Sequence, residues 1–323
     1  MMLTGAGSTF DEPFFQTAFA AYSADNPLTV QYQAVGSGAG IQKFINNAVD
    51  FGATDVPMNQ IEATLAAASG SPAVQIPIAL GGVAIAYNEP KIRGTGGLRL
   101  DGPTLAGIFL NKISKWNDPS IRALNPGLVL PDVPIRPVHR SDSSGTTYIF
   151  TDYLSSVSSA WKAGVGTGKS VAWPSGGSDG KGSPGVANWV HRHEGGIGYV
   201  ELSYAIAEHV PYIRIENQTG AFVVPTLESV TAAAAQFPRV SPDSFSIVNA
   251  PGTQSYPIAG YSWVLLRQQQ TDRSRGQALL KLFRWMVSNS GQAFATRLNY
   301  APIPAVAQAQ AVAGLNSIKG AGA

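Results

Sequence analysis

Short strand patterns and short helix patterns alternate through the first 90 residues, and that alternation constrains the fold more than any other feature. Phe14, Phe15, Ala18, Phe19 and Tyr22 recur at helical spacing behind Pro13, a residue suited to a first helical turn. Leu28 to Val35 reads as a strand with Val30, Tyr32 and Ala34 on one face. A helix from Ala39 then turns Ile41, Phe44, Ile45 and Ala48 inward. Val49–Thr54, Val74–Pro77 and Val83–Tyr87 read as three further strands. Strand–helix–strand order of this kind predicts an α/β sheet with crossovers.

The pattern continues downstream. Leu105–Leu110, Ile121–Leu124, Thr146–Leu154 and Val186–His191 read as helices, and Ile135–His139, Gly198–Glu201 and Ile258–Leu266 as strands. Residues 164–185, rich in Gly and Ser, read as surface loop. Leu279, Leu282, Phe283, Met286 and Val287 stand at core spacing in a last helix. With 323 residues, about two domains are expected. No repeat or Pro-rich linker separates sequential domains, so a discontinuous arrangement is predicted: lobe I from 1–82 plus 256–323, lobe II from 83–255, with Val83–Asn88 and Tyr256–Leu266 as hinge strands.

Composition excludes several classes of function. Charged residues are only 13% and the net charge is +2, which rules out a polybasic nucleic-acid arm and an acidic tail. There is no cysteine, hence no disulfide scaffold, thiolate zinc site or catalytic thiol. No apolar run approaches the ~20 residues of a membrane helix. The opening Met1-Met2-Leu3-Thr4-Gly5 has no charged n-region or long apolar stretch; an export signal replaced by a start codon is the expectation.

Three loops share one design. Gly5-Ala6-Gly7-Ser8-Thr9, Gly36-Ser37-Gly38-Ala39-Gly40 and Asp142-Ser143-Ser144-Gly145-Thr146 each bring small and hydroxyl residues to the start of a helix. A helix N-terminus offers backbone N–H groups and about half a positive charge. Each loop alone reads better as an ordinary capped turn; three together, with an arginine beside one, predict a cradle for a small tetrahedral oxyanion, without metal or cofactor. Arg140 lies just upstream of the third, with Asp142 two residues on to hold its guanidinium. A surface salt bridge accounts for that pair equally well. Asp55 is the odd member: a carboxylate beside a bound anion repels it unless the anion brings a proton, as hydrogen phosphate does and ionised sulfate does not.

Leu3-Thr4-Gly5-Ala6-Gly7-Ser8-Thr9-Phe10, Gly36-Ser37-Gly38, Val49–Asp55 and Arg140–Thr146, together with Trp116-Asn117-Asp118, Leu124–Gly127, Val165–Gly168, Gly196–Glu201 and Leu298-Asn299-Tyr300, run through the whole chain in order. They resemble the periplasmic phosphate-binding proteins of high-affinity phosphate ABC transporters. The resemblance implies a two-lobed periplasmic-binding-protein fold of class II, each lobe a central mixed sheet flanked by helices. Such a fold closes over one phosphate ion. Carried over by position, Thr9, Phe10 and Ser37 donate hydrogen bonds, Asp55 accepts the phosphate proton, and Arg140, Ser144, Gly145 and Thr146 complete the site. Asp142, Ser8 and Gly38 stand behind these contacts. His139 and Ser143 depart from the family, where another basic residue and Gly are common.

The implied partners are inorganic phosphate and an inner-membrane ABC phosphate permease, with no nucleic acid and no cofactor. A periplasmic monomer is expected, and the absence of a lipid-accepting Cys favours a soluble form. The protein is expected not to be an enzyme. The alternatives are a phosphatase or phosphoryl-transfer enzyme on the same cradle, or a receptor for another tetrahedral oxyanion such as sulfate or molybdate. Ala163–Ser170 nearly spells a nucleotide P-loop but lacks its first Gly, a preceding strand and a downstream metal-binding Asp. His191 and His193 are two apart, on different helix faces, and predict no metal site. Asn217-Gln218-Thr219 fits a glycosylation acceptor pattern. Asp142–Thr146 lacks the Gly-x-Ser-x-Gly turn that a hydrolase serine needs.

Overall fold

In the computed structural model, which describes residues 1–320, elements follow in the order β1 (Met2–Gly7), α1 (Glu12–Asp25), β2 (Thr29–Ala34), α2 (Ser37–Ile45), β3 (Phe51–Thr54), α3 (Gln60–Ala68) and β4 (Ala73–Asn88). Then come β5 (Arg99–Leu100), α4 (Gly102–Phe109), α5 (Pro119–Leu124), β6 (Arg136–Arg140), α6 (Gly145–Val157), α7 (Ser159–Gly164), β7 (Ser178–Gly180), α8 (Gly182–Arg192) and β8 (Gly196–Glu201). The chain ends with α9 (Leu202–Ala207), β9 (Arg214–Glu216), β10 (Phe222–Val223), α10 (Leu227–Ala235), β11 (Ala259–Arg267), α11 (Arg273–Val287), α12 (Asn289–Thr296) and α13 (Ala305–Asn316).

Two compact units result: Met1–Leu80, Phe237–Ser246 and Tyr261–Ala323 form the first, and Gly81–Gln236 with Ile247–Gly260 the second. This division differs from boundaries at 82/83 and 255/256. It falls inside β4 and β11, and it gives 237–246 to the first unit. The reason for the latter is visible in the contacts: Val240 is buried, and its carbonyl accepts a 3.0 Å bond from Gln310 Nε2 on α13.

The first unit is built on a sheet ordered β2-β1-β3-β11. β1 is parallel to β2 and β3, while β11 runs antiparallel to β3. The register sets Gly5 opposite Phe51 and Gly7 opposite Ala53. The carboxyl ends of β1 and β3 therefore finish side by side, which is where open α/β sheets hold their ligands. Gly5 is required because Phe51 lies over it: a Cβ there would come within 2.1 Å of the ring. That ring joins Phe15, Phe19, Tyr32 and Phe283 in an aromatic cluster. β11 ends in Arg267, whose guanidinium donates to Phe44 O (2.7 Å) at the end of α2 and to Ser71 O (3.0 Å) after α3. Cations are favoured at helix C-termini.

The second unit holds a sheet ordered β4-β8-β6-β7, with β4 antiparallel to β8 and the rest parallel, plus a small sheet β10-β9-β5. Ala84, Ala86, Val138, Val186, Val190 and Val200 pack between this sheet and α8. Each unit thus has a mixed central sheet flanked by helices. Three readings of local structure change. Val74–Pro77 and Val83–Tyr87 belong to one 16-residue strand, β4. Gly5–Gly7 closes β1 and is not loop. The Gly-rich stretch 164–185 contains β7 and the first turn of α8, with Gly180, Gly182 and Ser183 buried.

Candidate functional site

The expected site residues fall into two buried clusters, one per unit. In the first, the chain leaves β1 at Gly7, whose φ of +151° and the 1.9 Å gap from a would-be Cβ to Ala53 O leave room only for glycine. Ser8, Thr9, Phe10 and Asp11 follow, all at most 3% exposed. Ser8 N–H continues the ladder to Ala53 O at 3.0 Å, and Tyr32 OH donates to Ser8 O at 2.8 Å. Phe10 is fixed from both sides: its N–H donates to Ser8 Oγ (2.9 Å), and its carbonyl accepts Tyr300 OH (2.5 Å).

Asp55 follows β3 directly and is 2% exposed. Its Oδ1 accepts the Ser8 hydroxyl at 2.5 Å, and its N–H donates to Ser37 Oγ at 3.3 Å. Ser37 opens α2 behind Gly36, whose φ of +91° is left-handed. Gly38 is the next helical residue and is half-buried. The parallel register of β1 and β3 thus brings the residues that follow them, Thr9, Phe10 and Asp55, to one end of the sheet, where Asp55 N–H meets Ser37 at the start of α2.

In the second unit β6 delivers Arg140 at its carboxyl end, 4% exposed. Its Nε donates to Asp142 Oδ1 at 2.7 Å, its second bond to that carboxylate comes from Nη2, and Nη1 donates to Ser183 Oγ at 3.2 Å. The expected Arg140–Asp142 pair is therefore made, and made inside the protein, not on its surface. Gly182 N–H also donates to Asp142 Oδ1 (2.9 Å). Burial pushes the Asp142 carboxyl up, but hydrogen bonding and charge from Arg140 more than offset this. The group lies below the ordinary carboxylate range. Ser144 caps α6, accepting Thr147 N–H at 3.1 Å, so Gly145 and Thr146 form the first turn of that helix. Their N–H groups lie beyond the reach of the helix's own carbonyls.

Several residues of these clusters escaped the sequence reading. Tyr199 accepts Arg140 N–H at 3.1 Å and lies 2.7 Å from Thr147 Oγ1; burial pushes its hydroxyl up to about 12, so it stays protonated. Ser183, Asp11 and Ser262 are the others. Ser262, on β11, is fully buried 2.9 Å from Asp55 Oδ1. None has a local signature, because each meets its partner through the fold. His139, noted as a departure, stacks on Trp173 with centroids 4.6 Å apart. Burial lowers its pKa, so Asp179 at 3.3 Å is not a standing ion pair at neutral pH.

The rival motifs have structural roles. The P-loop-like segment 163–170 begins in the last turn of α7 and opens no helix; Lys169 O accepts Ser144 N–H (2.8 Å), bracing the start of α6. His191 and His193 each place Nδ1 on a backbone carbonyl, 2.9 Å from Glu208 O and 2.7 Å from Trp189 O. Among the described residues there is no group of three or more His, Cys, Asp or Glu that could hold a metal ion.

A family profile described as the PBP superfamily domain matches residues 2–290. The chain is 44% identical over 304 residues to the "Phosphate-binding protein PstS" of Xylella fastidiosa (strain 9a5c), covering 94% of this chain and 81% of the relative. Against the Haemophilus influenzae protein of the same name identity is 42%, with 94% and 89% covered. A solved "high affinity periplasmic phosphate-binding protein" bound with phosphate has the same fold, with a TM-score of 0.75, 23% identity and coverage of 100% and 99%. Profile, relatives and architecture agree: the chain belongs to the phosphate-binding protein PstS family, within the PBP superfamily.

Proposed function

We propose that this protein binds inorganic phosphate with high affinity and hands it to an ABC-type phosphate permease. Thr9, Phe10, Ser37 and Asp55 of the first unit and Arg140, Ser144, Gly145 and Thr146 of the second contact the anion. The observation that carries this reading is the 44% identity, over 94% of the chain, to a relative named for phosphate. The two clusters support it chemically. Arg140, oriented by Asp142, presents a charged planar donor, and the α6 N-terminus favours an anion. Asp55 selects a species that carries a proton, hydrogen phosphate over sulfate.

The protein works as a periplasmic monomer and performs no covalent chemistry. β4 and β11, the strands within which the division falls, serve as hinges. Its relatives are named for binding and not for a reaction. Among the described residues no helix is long and apolar enough to cross a membrane. Calorimetric titration of dialysed protein tests the reading: one phosphate binds per chain, and sulfate at equal concentration does not compete. Equal competition by sulfate removes Asp55 from the role given to it. Release of phosphate from a phosphomonoester would favour the enzyme on the same cradle.

A further inference from the structure

Ser262 Oγ carries one hydrogen and faces three acceptors: Asp11 Oδ2 at 2.6 Å, Asp55 Oδ1 at 2.9 Å and Thr54 O at 3.2 Å. Asp11 and Ser262 are fully buried and Asp55 nearly so. A hydroxyl donates once and otherwise accepts. With both carboxyls ionised, one of the two shorter contacts sets lone pair against lone pair between buried anions. Yet both contacts have the length of O–H···O bonds with a hydrogen between the oxygens. A second hydrogen on the carboxyl pair makes both contacts favourable.

We propose that Asp11 and Asp55 hold one proton between them through Ser262 Oγ at neutral pH, and that Asp11 is thereby a positioning residue for Asp55. Asp11 donates to Ser262, which donates to Asp55 Oδ1. That oxygen also accepts the Ser8 hydroxyl at 2.5 Å, which makes Asp55 the better seat for the charge. The consequence for ligand rests on the phosphate-binding reading. The shared proton keeps the pair at a single negative charge and leaves Asp55 ionised to accept the proton of the anion. When the shared proton is lost at alkaline pH, a second buried charge appears beside the anion and binding weakens.

Other titratable groups stand on the neighbouring elements of this unit, among them Arg267 of β11, which bonds Phe44 O and Ser71 O. Glu12, on α1, accepts Gln16 Nε2 at 3.0 Å. Tyr32 donates to Ser8 O and Tyr300 to Phe10 O. Burial keeps the Tyr261 hydroxyl, on β11, protonated. Lys43 sits about 9 Å along α2 from Ser37. Asp50, at the far end of β3, binds Arg275 at 2.8 Å.

Carbon-13 carboxyl NMR of aspartate-labelled, phosphate-free protein tests the shared proton. One aspartate carboxyl is protonated at pH 7 and is absent from the Asp11→Asn spectrum. Every aspartate ionised at pH 7, or a protonated signal that persists in the variant, overturns the proposal. The first of these readings needs no variant and so survives a failure of Asp11→Asn to fold. Phosphate titration across pH is the second arm. Asp11→Asn, which mimics the protonated acid, does not lose affinity on the alkaline side, whereas the unsubstituted protein falls by about tenfold per unit beyond its midpoint. Superimposable profiles overturn it. Absence of phosphate binding at any pH would sink the ligand reading alone, since the spectra still decide whether the proton is shared.

Discussion

Arg140 is held through three of its nitrogens before any ligand is considered, two bonding Asp142 and one Ser183. Truncation therefore removes a preset donor and not a floppy charge. Arg140→Ala weakens phosphate binding by at least about tenfold, from charge-assisted bonds of roughly 1.5–3 kcal/mol each, while near-ultraviolet circular dichroism keeps its native form. Retention of full affinity by calorimetry would contradict the assignment. Asp142 has its own pH signature. Its folded pKa is depressed, so its contribution to stability is present above the ordinary carboxylate pKa of about 4 and fades as pH falls through the folded value. Urea melts of Asp142→Asn and the unsubstituted protein should differ most at pH 7 and draw together as the pH falls from about 4 toward the depressed folded value. Of these residues the sequence shows what lies within a few positions, such as Arg140 with Asp142 or Ser144 at a helix start. It cannot show Asp11, just before α1, whose partner Ser262 is 251 positions away on β11, or Tyr199 beneath Arg140.

Among the elements, β1 and α2 approach each other backbone to backbone in the first unit. A Cβ on Gly40 would lie 2.3 Å from Gly7 Cα and 2.8 Å from Ala6 O, both backbone atoms that cannot swing aside. Gly40→Ala should destabilise by about 1–3 kcal/mol or more, read as a lower urea midpoint with unchanged slope. An unshifted midpoint would mean the helix slides freely on the strand. The same crowding explains why β1 was hidden. Its Met-Leu-Thr-Gly-Ala-Gly sequence carries no β-branched run, and its glycines exist to admit Phe51 and Ala53. β4 was read as two strands because Pro77 and Gly81-Gly82 are ordinary breakers of strand patterns. In the fold a single strand of 16 residues runs through them. Helices with a clean apolar face, α1, α2 and α11, were legible at once. α13, an alanine-rich helix with little contrast between its faces, was not.

At the scale of the whole chain, a ligand that binds only the folded state raises stability by mass action, about 4 kcal/mol at a thousandfold excess over Kd. Thermal melts should therefore climb with added phosphate and stay put in equimolar sulfate; a rise with both would show plain salt stabilisation. The α/β class could be read from the order of patterns, but the place of the segment 237–246 could not. It belongs to the first unit through a tie to α13, which lies far along the chain. The interrupted layout also dictates a timetable for assembly. β3 emerges from the ribosome early, yet its antiparallel neighbour β11 ends at Arg267. At about 5–20 residues per second, roughly 10–40 s pass before that edge is covered. The second unit is complete by Gly260, so the half that contains the N-terminus is the last to be finished. Until then it is a nascent chain with an open sheet margin, the form on which holding factors act.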